Sequence, residues 1–280
     1  YLPNLLKTQY FIIKPRKSSF FLSFEDWIFI IKNLYIKKIF SFYFNLKITI
    51  KLALLNYYVF IFNPSAIICS SEYSFTSSFT TYFLEHKRIK SINIQHGEKL
   101  FFIRDSFFKF SEFYIWDGYY KELFVSLYAC PYQFIVEELK YKKNYEINEN
   151  KGKKIIKYYL QKETKKDILN LINILLILKK SYTVIVRPHP LYSKKENISL
   201  INKYFEIEDN NIDILSSIAN SDFVISKYST VLYQAYLLSR IPIIDDLSNT
   251  KLYEKLKELK YIIFQKRHLL LSDIIKVSIL

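Results

Sequence analysis

Through residues 24–60 apolar side chains recur at helical spacing, in FEDWIFIIKNLYIKKIF and onward, interrupted by lysines rather than by turn residues, which predicts two or three helices. From Asn63 the pattern changes to short apolar runs alternating with longer amphipathic ones. SAIICSS (65–71) reads as a strand, SSFTTYFLEHKRI (77–89) as a helix begun by hydroxyl caps, SINIQHG (91–97) as a strand ending in a turn, and SEFYIWDG (111–118) as another strand and turn. Strand, helix and strand in that order predict a parallel sheet between helices. LKYKKNYEINENKGKK (139–154) breaks the apolar pattern and reads as a linker. The alternation then resumes with a helix over 163–180, the strand YTVIVRP, a polar stretch, NIDILSSIANS (211–221), a strand over 222–229, a helix over 230–240, a strand over 241–246 and a helical C-terminal part. The expectation is an α/β protein of two Rossmann-like halves, residues 1–140 and 141–280, with parallel sheets facing a cleft and extra helices at the N-terminus.

Composition and charge narrow this picture. Half of the 280 residues are apolar, enough for a large buried core. The formal charge of +15 attracts phosphates, anionic lipids or acidic polymers over about 10 Å, without choosing among them. Residues 1–60 carry nine Lys or Arg against two acidic residues, a balance that suits contact with an anionic membrane as well as an ordinary solvated helix face. Cys69 and Cys130 fit neither a disulfide framework nor a zinc site and are expected to be reduced, structural thiols. The longest apolar run, LALLNYYVFIF (52–62), falls short of the roughly 20 residues a bilayer needs, so no spanning helix and a cytoplasmic location are expected. The chain begins with Tyr and contains no Met, so a missing or altered N-terminus is expected.

Ligands of open parallel sheets sit at the carboxyl ends of the strands. That rule selects His96 with Gly97, Asp117, Arg187 with His189, and Lys227 with Ser229 and Thr230. Ser229 and Thr230 stand where strand gives way to helix, where free N–H groups, hydroxyls and the helix dipole favour a phosphate. Prolines on both sides restrict the chain around His189. Arg187, two residues earlier, alternates to the same side and could pair with a phosphate or hold the turn together; with His189 it is read as the donor-phosphate side of a transfer site. Gly97 lets the chain turn sharply after His96, while His86 and His268 are expected to play no chemical part.

RPHP followed by SDFVISKYSTVLYQAYLLSRIPIIDD resembles bacterial GT-B type transferases that build capsules and wall polymers, above all the CDP-glycerol glycerophosphotransferase group, with a looser similarity to bacterial sialyltransferases and polysialyltransferases. The first likeness extends to His96-Gly97 and implies His96 as the base toward the acceptor hydroxyl, with His189 at the donor phosphate. The second implies Asp117, in WDG, as the base and His189 as acid toward a departing CMP. Both place Ser229 and Thr230 at the donor phosphate. Lys227 stands where the first pattern has aspartate, and Trp116 occupies the first acidic position of the second.

What the resemblance implies is a metal-independent glycosyltransferase without a cofactor. It would move a nucleotide-activated sugar, such as CMP-sialic acid or a related acid sugar, onto a glycan or lipid-linked acceptor of a capsule or lipooligosaccharide. A glycerophosphotransferase and a sugar-nucleotide epimerase are the rivals. Nothing resembles a nucleic-acid module, because the aromatic residues sit at core spacing rather than in a basic stripe.

Overall fold

The computed structural model describes residues 19–36, 38, 41–70, 72, 74–138 and 152–279. Most of the expected linker at 139–154, and the expected boundary between residues 140 and 141, lie outside them. The described chain divides into two compact units. One runs to His96 and resumes over Phe102–Glu138, and the other takes Gly97–Phe101 and the residues after the linker.

Unit 1 begins with helices α1 (Phe24–Ile36) and α2 (Phe42–Phe62), followed by β1 (Ala66–Cys69), α3 (Ser77–His86), β2 (Lys90–Ile94), β3 (Glu112–Ile115), α4 (Gly118–Ser126) and β4 (Phe134–Val136). Its four strands are parallel and lie in chain order, with Ile94 opposite Tyr114 and Tyr114 opposite Ile135. The abundant phenylalanines find their use here. Phe108, Phe113, Phe124 and Phe134 are buried together, the rings of Phe124 and Phe134 stacked at 5.7 Å, and each such pair contributes about 0.5–1.5 kcal/mol beyond its buried area. A second cluster joins Phe29 and Ile30 of α1, Ile48 and Leu52 of α2, and Phe79 and Phe83 of α3.

The absence of a long apolar helix is corrected by α2. Its 21 residues are long and apolar enough to cross a membrane, because Lys47 and Lys51 interrupt the apolar run in sequence without interrupting the helix. The helix is nevertheless held on unit 1. Lys51 donates to the hydroxyls of Ser74 at 3.3 Å and Thr76 at 3.0 Å, while Ile48 and Leu52 are fully buried.

Unit 2 contains β5 (Ile155–Tyr159), α5 (Lys165–Leu178), β6 (Thr183–Arg187), α6 (Lys195–Ile201), β7 (Glu206–Ile207), α7 (Ile214–Ala219), β8 (Phe223–Ser226), α8 (Thr230–Leu237), β9 (Ile241–Ile244), α9 (Thr250–Glu258), β10 (Leu269–Leu270) and α10 (Leu271–Ile279). All six strands are parallel, in the order β7-β6-β5-β8-β9-β10. Counted from β5 as the first, this is the 3-2-1-4-5-6 order of a doubly wound sheet. Burial on both faces explains the near-continuous apolar strands, Phe223 to Ser226 being buried without exception. Helix α5 starts in a capping box between Thr164 and Asp167 and turns Ile168, Leu171, Leu175 and Leu178 onto the sheet. The polar stretch of the sequence contains α6 and β7, and the helical C-terminal part contains β10 as well as α9 and α10.

Candidate functional site

In unit 2 the strand order reverses between β5 and β8, one strand leading outward on each side, and the loops after these strands form the crevice where such sheets bind ligands. Lys227 leaves β8 at this point with its side chain only 10% exposed, and Glu163 follows β5 with its side chain 3% exposed. Their charged atoms are 3.8 Å apart, an ion pair too long for a hydrogen bond. Both carboxylate oxygens of Glu163 accept from the Gln161 N–H, at 2.9 and 2.8 Å. Burial is the largest influence on the Glu163 carboxyl and raises it above the ordinary range, against the opposing effects of Gln161 and Lys227. Among the described residues none takes a hydrogen bond from the nearly buried ammonium, a suitable arrangement for an anion.

Helix α8 opens beside it. Ser229 is its N-cap, with extended backbone and an Oγ that accepts from the Val231 N–H at 3.4 Å. The Ser229 carbonyl is fixed from below by the hydroxyl of the fully buried Tyr261, at 3.0 Å. Thr230 is the first helical residue, so its N–H points out of the helix end together with the positive pole of the dipole.

On the other side of β5, β6 leads into the RPHP turn. The His189 N–H donates to Ser193 Oγ at 2.8 Å, the Leu191 N–H donates to His189 Nδ1 at 3.1 Å, and the ring packs on Tyr192 at 4.5 Å. With Nδ1 accepting, the neutral ring carries its proton on Nε2 and presents a donor. Partial burial lowers the His189 pKa below its ordinary value and favours this neutral form.

Arg187, expected at the donor phosphate, is engaged within its own unit. It is buried, its Nη1 lies 2.8 Å from Glu208 Oε2, and its Nη2 donates to the Ile212 carbonyl at 2.7 Å. Lys157, in the middle of β5, lies 2.6 Å from Glu208 Oε1 and donates to the Ser217 carbonyl at 2.8 Å. The Ser217 hydroxyl also reaches Glu208. Burial acts to raise the Glu208 carboxyl, but the bonds from Lys157, Ser217 and Arg187 outweigh it and hold the group below the ordinary carboxylate range. The guanidinium is thus occupied inside the fold. Glu163 and Glu208 were not selected from the sequence, although a lysine within the apolar run IIKYYL was a signal that a buried carboxylate would be needed.

In unit 1, His96 and Asp117 follow the adjacent strands β2 and β3. The His96 N–H donates to Glu72 Oε1 at 2.9 Å, which also ties the end of β1 to this corner, and the His96 side chain is exposed. Gly97 has φ +67°, a left-handed conformation that glycine adopts without strain. Asp117 is the N-cap of α4, its Oδ1 accepting from the Tyr119 N–H at 2.9 Å. Away from these ends, His86 stacks on Phe29 at 4.5 Å, His268 Nδ1 lies 2.9 Å from the Lys266 carbonyl, and neither cysteine is in a disulfide.

No family model matches the chain, and no curated protein does. Among solved structures it is similar to a variant of the wall teichoic acid polymerase TagF, at 16% identity over 64% of this chain and 54% of that one, with a TM-score of 0.43. It is similar to S. aureus TarM in complex with UDP, at 13% identity over 71% and 45% of the two chains, TM-score 0.47. HepE of Anabaena in complex with UDP gives 12% identity over 70% and 64%, TM-score 0.47. The chain spans about half the length of the TagF and TarM structures it matches.

Proposed function

We propose that this chain is a GT-B-like transferase that moves a sugar from a nucleotide-activated donor to a hydroxyl of a surface-glycan acceptor. Unit 2 binds the donor, and unit 1 carries the group that meets the acceptor. The observation that carries this reading is the nearly buried Lys227 ammonium beside the N-terminus of α8, at the reversal point of a 3-2-1-4-5-6 sheet. Lys227, the first turn of α8 and the Nε2–H of His189 then stabilise the phosphate that departs as the sugar–oxygen bond breaks, while the acceptor oxygen forms the new bond. His96, exposed at the end of β2, takes the acceptor proton. Glu163 keeps Lys227 in place without using its donors.

In its finer form the donor is an acid sugar such as CMP-sialic acid, and the acceptor a glycan or lipid-linked chain of a capsule or lipooligosaccharide. Thermal-shift measurement with CMP, CDP, UDP and GDP tests the site. At least one nucleotide should raise the melting temperature, and Lys227→Ala should weaken it about tenfold, the equivalent of one hydrogen bond to a charged group. Lack of stabilisation by all four, or unchanged binding by the variant, refutes the assignment. Transfer supported by CDP-glycerol would instead identify a glycerophosphotransferase, and turnover of a nucleotide sugar without acceptor an epimerase.

A further inference from the structure

Helix α1 is apolar on two opposite faces. Asp26, Phe29, Ile30 and Asn33 turn inward, where the Asp26 carboxylate meets the Lys87 ammonium at 2.6 Å and the Asn56 amide at 2.8 Å. The opposite stripe, Phe24, Ile28, Ile31 and Tyr35, also follows helical spacing, yet Phe24 is 79%, Ile31 62% and Tyr35 75% exposed. A helix packed only against its own domain places polar residues there. Among the described residues none covers the stripe, and exposed apolar side chains continue at both ends of α2, at Phe42 and Phe60.

Charge decides what fits this surface. Of the two acidic residues in 1–60, Asp26 is neutralised by Lys87, which leaves Glu25 against the nine cations of the segment. A second copy of the chain would bring like charge to like charge, whereas an anionic lipid surface is complementary. The half-exposed Trp27 and the exposed Tyr35 are amphipathic rings of the kind that settle at headgroup level. Because Lys51 and the buried Ile48 and Leu52 hold α2 on unit 1, the contact is lateral rather than spanning.

We propose that the Phe24–Tyr35 stripe of α1 lies in the interfacial layer of an anionic membrane, with the exposed Lys32 and Lys38 facing lipid headgroups. The proposal rests on α1 and its charges and holds whatever unit 2 binds. Sedimentation of the full chain with phosphatidylcholine vesicles, with and without phosphatidylglycerol, tests it. Binding should require phosphatidylglycerol and fall steeply with salt. Lipids with brominated acyl chains should quench tryptophan emission in the native chain and not in Trp27→Phe. Ile28→Glu combined with Ile31→Glu should weaken vesicle binding about tenfold or more at an unchanged melting temperature. Undiminished binding by the double variant overturns the proposal. So does a lowered melting temperature with no lipid binding to lose, which would mean that the stripe packs within its own chain. A lipid-free dimer abolished by the same substitutions would assign the face to a second copy instead.

Discussion

The Leu191 N–H occupies Nδ1 of His189, so a proton added to this ring must displace a hydrogen bond as well as charge a partly buried group. On the proposed function, a departing phosphate oxygen meets a neutral Nε2–H donor. The ring stabilises charge without delivering a proton, in contrast to the acid role implied by the sialyltransferase likeness. His189→Ala should lower turnover by about 10²–10³-fold, the cost of one preorganised donor. The rate should fall as pH drops below the ordinary histidine value of 6.5, when protonation at Nδ1 breaks the turn. Nitrogen NMR showing the proton of the neutral ring on Nδ1 would contradict this reading. The stability sign agrees: with its folded pKa depressed, the group's contribution is present above 6.5 and is lost as pH falls through the lower folded value. The sequence disclosed where His189 lies but not how its neighbour turns. Alternation put Arg187 and His189 on one side, whereas β6 ends at Arg187 and His189 belongs to a turn, where the period of two no longer applies.

Elements with strong period and length were legible: α3, α5, β6 and β8 follow the apolar pattern because each buries a face or is buried on both, whereas β5, whose IIKYY carries a lysine in mid-strand, was not read as a strand. The pattern was silent at α6 and β7, where seven and two residues offer too few apolar positions to set a period. What holds this region is polar. Glu208, just after β7, joins Lys157 of β5, Arg187 of β6 and Ser217 of α7, and so fixes four elements through one carboxylate. Glu208→Gln would leave two buried cations without their counter-charge, and urea denaturation should show a loss of about 3–5 kcal/mol. The same network predicts acid sensitivity: the folded pKa of Glu208 is depressed below 4.5, so its contribution is complete above that pH and lost as pH falls through the folded value. A variant as stable as the native protein would mean that the two cations reach water.

At the scale of the whole molecule, alternation of strand and helix disclosed two α/β parts, and the candidate site was half legible: the strand-end rule found His189, Lys227 and Ser229 but not Glu163, whose place depends on which strand ends up beside β8. Nor could spacing reveal how the chain is threaded. It leaves unit 1 at Gly97, passes through unit 2 as far as Phe101, and returns at Phe102. Within that excursion the Phe101 N–H donates to the Leu259 carbonyl at 2.8 Å, and the Lys260 ammonium lies 4.1 Å from the Phe101 ring. A fragment of residues 139–280 lacks these five residues and should melt at a lower temperature than unit 2 in the intact chain, as calorimetry can measure; equal melting would make the excursion incidental. The threading also constrains recombination. A single crossover in the 139–151 segment cannot exchange the C-terminal half as a cassette, because it leaves the foreign sheet with the old Gly97–Phe101. A working chimera has to import two pieces of sequence at once.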